Sequence, residues 1–276
     1  MKLGISGTAL SRDWTVDKMC AVAKKMGYEG IEFWLTPSGI VNMESTPEDI
    51  QQIKETVEKY GLELYSLACA MYFSTSLTAE STEVRDKAKA ILKKQIDVAH
   101  QLGCETILVV PGAVGINWIR NFEVVSYDIA YERALEWIEE FKAYAEEKNV
   151  VIAMENVGNK FLLSPLEMRD FIDKADSDYI GAYFDVGNIM SCGYPDQWIR
   201  ILGNRIKKVH LKDYDRNTGN EVALLAGDVD YPAVMAALKE IHYDGWLTSE
   251  YSFKEEERME RLQQTIDAMK KITENK

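Results

Sequence analysis

The chain alternates apolar, strand-like segments with amphipathic, helix-like segments eight times over, and that alternation restricts the fold to a parallel sheet covered by helices. LGIS at 3–6 precedes helical spacing at 13–26, which Gly27 stops; GIEFW at 30–34 precedes TPEDIQQIKETVEKY, where Thr46 can cap and Pro47 suits the first turn. LELYSLACA at 62–70 and TILVVPG at 106–112 lead into helical stretches at about 80–102 and 131–148. Gly61 and Gly103 each close the helix before them. VVIAMEN, YIGAYFDVGN, KKVHLKD and GWLTSEY supply four more strands, with helix-like stretches near 164–175, 195–203 and 231–241 and a last helix at 254–272.

Eight such units predict a single (β/α)8 TIM barrel over residues 1–276, with its active site on the loops after the strands' C-terminal ends. An open doubly wound sheet is the competing arrangement. It usually carries a glycine-rich phosphate loop after its first strand, and LGISGTAL lacks the GxGxxG pattern. A chain of 276 residues can bury a large core, and six prolines without a Gly/Ser-rich tract leave no obvious linker.

A net charge of −13 argues against nucleic acid as a partner, because the phosphate backbone rewards Lys and Arg patches. The four cysteines are widely separated and form no CxxC pair, so reduced thiols in the cytosol are the simpler expectation. MKLGISGTAL reads as a strand and not as a secretory leader, and the apolar runs stop short of the ~20 residues a membrane span needs. A soluble, cytoplasmic protein follows.

Four strand ends carry the chemistry. Glu155 follows VVIAM, Asp185 follows YIGAYF, His210 follows KKV and Glu250 follows WLTS. Any one of them could be a rim ion pair, but four on successive strands make a divalent-metal site. Three carboxylates and one imidazole suit a single Mn²⁺, with Mg²⁺ or Co²⁺ as alternatives, over a metal selected by thiolates. His100 falls in a helix and His242 in a helix-to-strand turn, positions that call for no special role.

Segments IAMENVGN, YFDVGNIMSCGYPDQWI, KKVHLKDYDR and LLAGDVDYPAVMAALKEIHYDGWLTSEY resemble the successive signatures of the xylose isomerase-like TIM-barrel superfamily, in its sugar (phosphate) isomerase/epimerase branch. The DVGN and HLKD forms are more similar to L-xylulose-5-phosphate 3-epimerases and hexulose-phosphate isomerases than to free-ketose tagatose/psicose 3-epimerases. The resemblance implies metal ligation by Glu155, Asp185, His210 and Glu250. It also implies a catalytic role for Glu155 and Glu250, exchanging a proton on opposite sides of the substrate carbon. Asn188 stands where free-ketose epimerases carry a histidine, and Arg216 where they carry an arginine.

That chemistry is coherent on its own terms. Removing the proton beside a ketone creates an enediolate, whose charge a divalent cation can stabilise while two carboxylates exchange the proton. Return to the same carbon gives epimerisation, return to the neighbouring carbon gives isomerisation, and loss of a β-hydroxyl gives dehydration. The expected substrate is a sugar or sugar phosphate. Lys212 and Asp213 could contact it or form a rim ion pair; Arg216 could clamp it or remain solvated. Glu32 and Trp34 close the second strand and Trp118 lies after the fourth, where aromatic walls suit sugar faces and core packing alike. A dehydratase on the same site, a non-catalytic sugar-binding barrel and the superfamily's endonuclease branch are the alternatives; the endonuclease needs more than the three histidines present. A homo-oligomer is possible, although the KEEERMERLQQ surface shows no self-association stripe.

Overall fold

The computed structural model describes residues 1–116 and 118–274. Its strands are β1 (Lys2–Ser6), β2 (Gly30–Thr36), β3 (Glu63–Cys69), β4 (Thr106–Val109), β5 (Val151–Glu155), β6 (Ile180–Asp185), β7 (Ile206–Leu211) and β8 (Trp246–Ser249). Each pairs in parallel with its sequence neighbour, and β1 also pairs with β8, so the sheet closes into a barrel. Closure removes the open sheet edge that a doubly wound fold would keep.

The principal helices are α1 (Val16–Met26), α2 (Pro47–Lys59), α3 (Thr82–Leu102), α4 (Tyr127–Glu147), α5 (Pro165–Lys174), α6 (Pro195–Leu202), α7 (Tyr231–Glu240) and α8 (Arg258–Glu274). Local chemistry sets their ends. Thr46 and Asp49 form a reciprocal capping box at α2, and Pro47 occupies its first turn. Gly27 and Gly103 end α1 and α3 at φ of 98° and 81°, in the left-handed region glycine enters without steric cost. Several boundaries differ from the sequence expectation: α1 starts three residues later, at Val16, α4 starts four earlier, at Tyr127, and α8 starts at Arg258, after a turn at 255–257.

Inside the barrel, side chains at every second position point inward and fill the interior in layers. Tyr65 stacks on Trp246 with ring centroids 4.0 Å apart. A methyl group at Gly4 would come within 2.1 Å of the Tyr65 hydroxyl, and one at Gly30 within 2.7 Å of the Trp246 ring. Above this layer Ala68, Leu108, Ala153 and Tyr183 form a small cluster against Trp34. Leucine, isoleucine, valine and phenylalanine on the outward faces pack under the helices in one continuous core.

Several short elements were not anticipated. A strand at Val41–Asn42 extends the sheet beside β2, a single helical turn at Val186–Ile189 follows β6, and Asp213–Asp215 pairs antiparallel with Asn220–Val222 to form a hairpin after β7. Among the described residues no helix is long and apolar enough to cross a membrane. Cys20, Cys69, Cys104 and Cys192 are free thiols, and burial pushes the first three up to about 12, leaving them as packing groups.

Candidate metal centre

Strand register brings the four strand-end groups together. Asp185 lies opposite His210 in the β6–β7 ladder, His210 lies opposite Thr248 in the β7–β8 ladder, and Glu155 lies opposite Tyr183 in the β5–β6 ladder. One potential ligand atom from each of Glu155, Asp185, His210 and Glu250 lies within 4.8 Å of the others. His210 Nδ1 is 3.0 Å from Glu250 Oε2, 3.8 Å from Asp185 Oδ2 and 3.9 Å from Glu155 Oε1.

The donor set fits a divalent cation on a second ground. Among the described residues, four buried side-chain N or O atoms have no aligned hydrogen-bond partner: Ser66 Oγ, Asp185 Oδ2, His210 Nδ1 and Glu250 Oε2. Three of the four belong to the cluster. Buried polar atoms are expensive to leave unsatisfied; Lys212 Nζ approaches two of these three atoms, and a divalent cation among them would serve all three.

Three of the clustered groups are held by neighbouring side chains or backbone. Glu32, fully buried, accepts from His210 Nε2 at 3.0 Å and from the Tyr183 hydroxyl, whose ring lies 4.5 Å from the imidazole. With Nε2–H donating to that carboxylate, Nδ1 is the nitrogen left to face the cluster and, once it gives up any proton, would offer its lone pair to a cation. Asp185 gives one oxygen to the Asn188 backbone N–H at 2.8 Å, capping the Val186–Ile189 turn, and keeps Oδ2 for the cluster. The Asn156 side chain locks the Asp185 backbone from both ends, accepting from its N–H at 2.9 Å and donating to its carbonyl at 2.8 Å. Asn188 also donates to Glu155 Oε1 at 3.4 Å and to the Asn156 carbonyl at 3.0 Å.

Lys212 enters from the rim. Its Nζ lies 2.6 Å from Glu250 Oε2 and 3.0 Å from Asp185 Oδ2, a close electrostatic approach outside aligned hydrogen-bond geometry. The backbone permits this because a methyl at Gly187 would meet Lys212 Cβ at 2.6 Å. Burial works to lower the lysine, but Asp185 and Glu250 outweigh it and hold the ammonium well above its usual range. Burial likewise opposes charge on His210, and Glu32 and Glu250 overcome it. The two glutamates diverge. Burial and the nearby Glu250 push Glu155 up to about 8, whereas Lys212 and His210 override burial at Glu250 and keep it below the usual carboxyl range.

The remaining expected site residues sit around this centre. Arg216 donates to the Gly193 carbonyl at 3.0 Å, and its guanidinium lies 4.8 Å from the Tyr194 ring centroid. Trp34 donates to Ser6 Oγ at 2.7 Å. Trp118, 58% exposed, meets Phe73 edge-on and covers Gly158, bridging the loops after β3 and β5. None of these three makes a hydrogen bond or ion pair with the four clustered groups. Asp213 turns away and accepts from the backbone N–H groups of Tyr214, Gly227 and Val229, tying down the chain after β7. His100 donates from Nδ1 to the Lys148 carbonyl at 2.7 Å on the exposed face of α3. Sequence inspection passed over Asn156 and Tyr183, although Asn156 directly follows a candidate ligand and Tyr183 shares the inward face of Asp185 two residues away.

A closed parallel barrel with a carboxylate–imidazole cluster at the C-terminal ends of four consecutive strands defines the class: a TIM barrel whose mouth carries four groups that could hold a metal ion. Residues 20–272 match the profile of the xylose isomerase-like TIM barrel family, and the chain belongs to it. It is similar to the putative L-ribulose-5-phosphate 3-epimerase SgbU of Haemophilus influenzae, 23% identical over 274 residues covering 93% of this chain and 91% of the relative. It is similar as well to the inosose dehydratase of Clostridium perfringens strain 13, 24% identical over 278 residues covering 91% and 89%. The fold matches that of D-psicose 3-epimerase from Clostridium cellulolyticum H10, solved with D-tagatose, at a TM-score of 0.83 and 16% identity over 99% of both chains.

Proposed function

We propose that this protein is a divalent-metal-dependent epimerase or isomerase of a sugar or sugar phosphate, moving a proton at a carbon beside a carbonyl. The observation that carries the reading is the cluster of Glu155, Asp185, His210 and Glu250, with three orphaned atoms converging on one point. These four residues would hold the cation. When bound, it supplies the positive charge that a carbonyl oxygen needs as the neighbouring carbon gives up its proton; Mn²⁺ suits the donor set, with Mg²⁺ or Co²⁺ as alternatives.

The chain's own groups do the rest. Glu155 and Glu250 stand on β5 and after β8, flanking Asp185 and His210, so that one takes the proton and the other returns it. Their roles exchange with the direction of reaction, since each step is reversible. Glu32 fixes the imidazole plane and tautomer, and Tyr183 fixes Glu32. Asn188 and Lys212 stand close enough to the cluster to meet substrate hydroxyls, while Trp34, Trp118 and Arg216 border the approach to it.

A named relative supports the reading: the Haemophilus influenzae match is a putative ribulose-phosphate 3-epimerase. The inosose dehydratase match favours a second reading, loss of water from a keto-sugar or inosose on the same centre. Incubating Mn²⁺-loaded protein in D₂O with ketoses, ketose phosphates and inososes separates them. Epimerisation or isomerisation places deuterium on carbon in a product that retains every oxygen; a product lighter by one water selects the dehydratase. Sugar binding with neither outcome leaves a non-catalytic barrel and removes both readings.

A further inference from the structure

A cavity of about 410 Å³ opens among the loops after β1, β2 and β3, and none of the four clustered groups lines it. Its wall is largely apolar, with Met19, Phe33, Leu35, Ile40 and Met71 beside Trp34, and Arg12 is the charged side chain that lines it. No Asp or Glu lines this cavity, although acidic residues outnumber basic ones by 45 to 32 in the chain. Arg12 also makes no hydrogen bond or ion pair among the described residues.

Three other cations around the mouth are engaged or accompanied. Lys212 is held by Asp185 and Glu250, and Arg216 by the Gly193 carbonyl and the Tyr194 face. Lys254 lines a neighbouring cavity that it shares with Glu221 and Glu257. Arg12 alone in this comparison combines a free guanidinium with a cavity clear of carboxylates.

The cavity is coupled to the metal centre through one side chain. Trp34 forms its wall and follows Glu32, the partner of His210, by two residues on the same inward face, a step of roughly 7 Å along a strand. Trp34 also packs against the cluster containing Tyr183, whose ring lies on His210. Trp34 thus stands between Glu32, which supports His210, and the Arg12 cavity.

We propose that Arg12 binds a phosphate monoester at the end of the substrate remote from the reacting carbon, making it a specificity-determining residue for phosphorylated sugars. This rests on the epimerase or isomerase reading and narrows its substrate class. A guanidinium offers a planar fork of donors that matches two phosphate oxygens, and a wall without carboxylates avoids repelling the dianion.

The test compares calorimetric binding of ribitol and ribitol 5-phosphate to the Mn²⁺-loaded protein, in the wild type, Arg12→Met and Arg12→Lys. The expected result is a preference for the phosphate of roughly ten- to a hundredfold in the wild type, lost in Arg12→Met and partly kept in Arg12→Lys, with Mn²⁺ affinity unchanged in both variants. Equal binding of the two ligands by the wild type, or a preference that survives Arg12→Met, overturns the proposal. The probes do not react, so this outcome is read independently of turnover; failure of the epimerase reading appears separately, as absence of solvent deuterium from every ketose.

Discussion

At the residue scale, the account turns on how neighbours divide labour between two glutamates. Replacing Glu155 or Glu250 by Gln should lower the rate of proton exchange at the substrate carbon by roughly 10²- to 10⁴-fold. Deuterium uptake followed by NMR measures it, and wild-type exchange in either variant contradicts the assignment. In the metal-free chain burial and Glu250 hold Glu155 up to about 8 from a usual 4.5, so its contribution to folding is full below about 4.5 and falls as pH rises towards 8. A cation must displace that proton. Mn²⁺ affinity should therefore climb between about pH 6 and 8, by about tenfold per unit for each proton released, and a flat calorimetric profile excludes this. Glu32→Gln should weaken Mn²⁺ binding by roughly 10- to 100-fold while the fold persists, since it disturbs only the support of His210. The four clustered groups were legible in the sequence because each ends an apolar strand, where a charged group needs a reason. The depth of Glu32 was not legible: whether an inward residue faces the mouth or lies beneath the ligands depends on the stagger between β2 and β7, which no local pattern encodes.

At the element scale, the long strands and helices were readable from periodicity and from their caps. Thr46→Ala removes half of the α2 capping box and should destabilise the protein by about 1 kcal/mol in urea unfolding without changing metal affinity, because α2 lies outside the barrel. The Val186–Ile189 turn and the hairpin after β7 escaped notice for a physical reason. They are too short for a periodic signal and are set by tertiary partners: Asp185 caps the first, and Asp213 anchors the second through three backbone N–H groups. These short pieces bring Lys212 and Asn188 to the cluster. Gly187→Ala should therefore weaken Mn²⁺ binding, since its new methyl would push against Lys212 Cβ at 2.6 Å and shift the turn that Asp185 caps. Unaltered affinity in that variant means the turn has more freedom than its packing implies.

At the scale of the whole molecule, eight repeats announce a barrel, and parallel pairing of β1 with both β2 and β8 closes it. Closure is what turns four residues spread over 95 positions of sequence, from Glu155 to Glu250, into neighbours within 4.8 Å. A cation bound there bridges consecutive strands and should stabilise the fold by about 2.7 kcal/mol at a hundred times its dissociation constant, visible as a rise in Tm that chelation reverses. The most direct measurement is the stoichiometry and composition of that site: Mn²⁺ titrated into metal-free protein by equilibrium dialysis, with bound Mn²⁺ examined by electron paramagnetic resonance for coupling to nitrogen. One ion per chain with a single nitrogen coupling, both lost in His210→Ala and the ion lost in Asp185→Asn, is the predicted result. No bound ion, or one indifferent to both substitutions, contradicts the account.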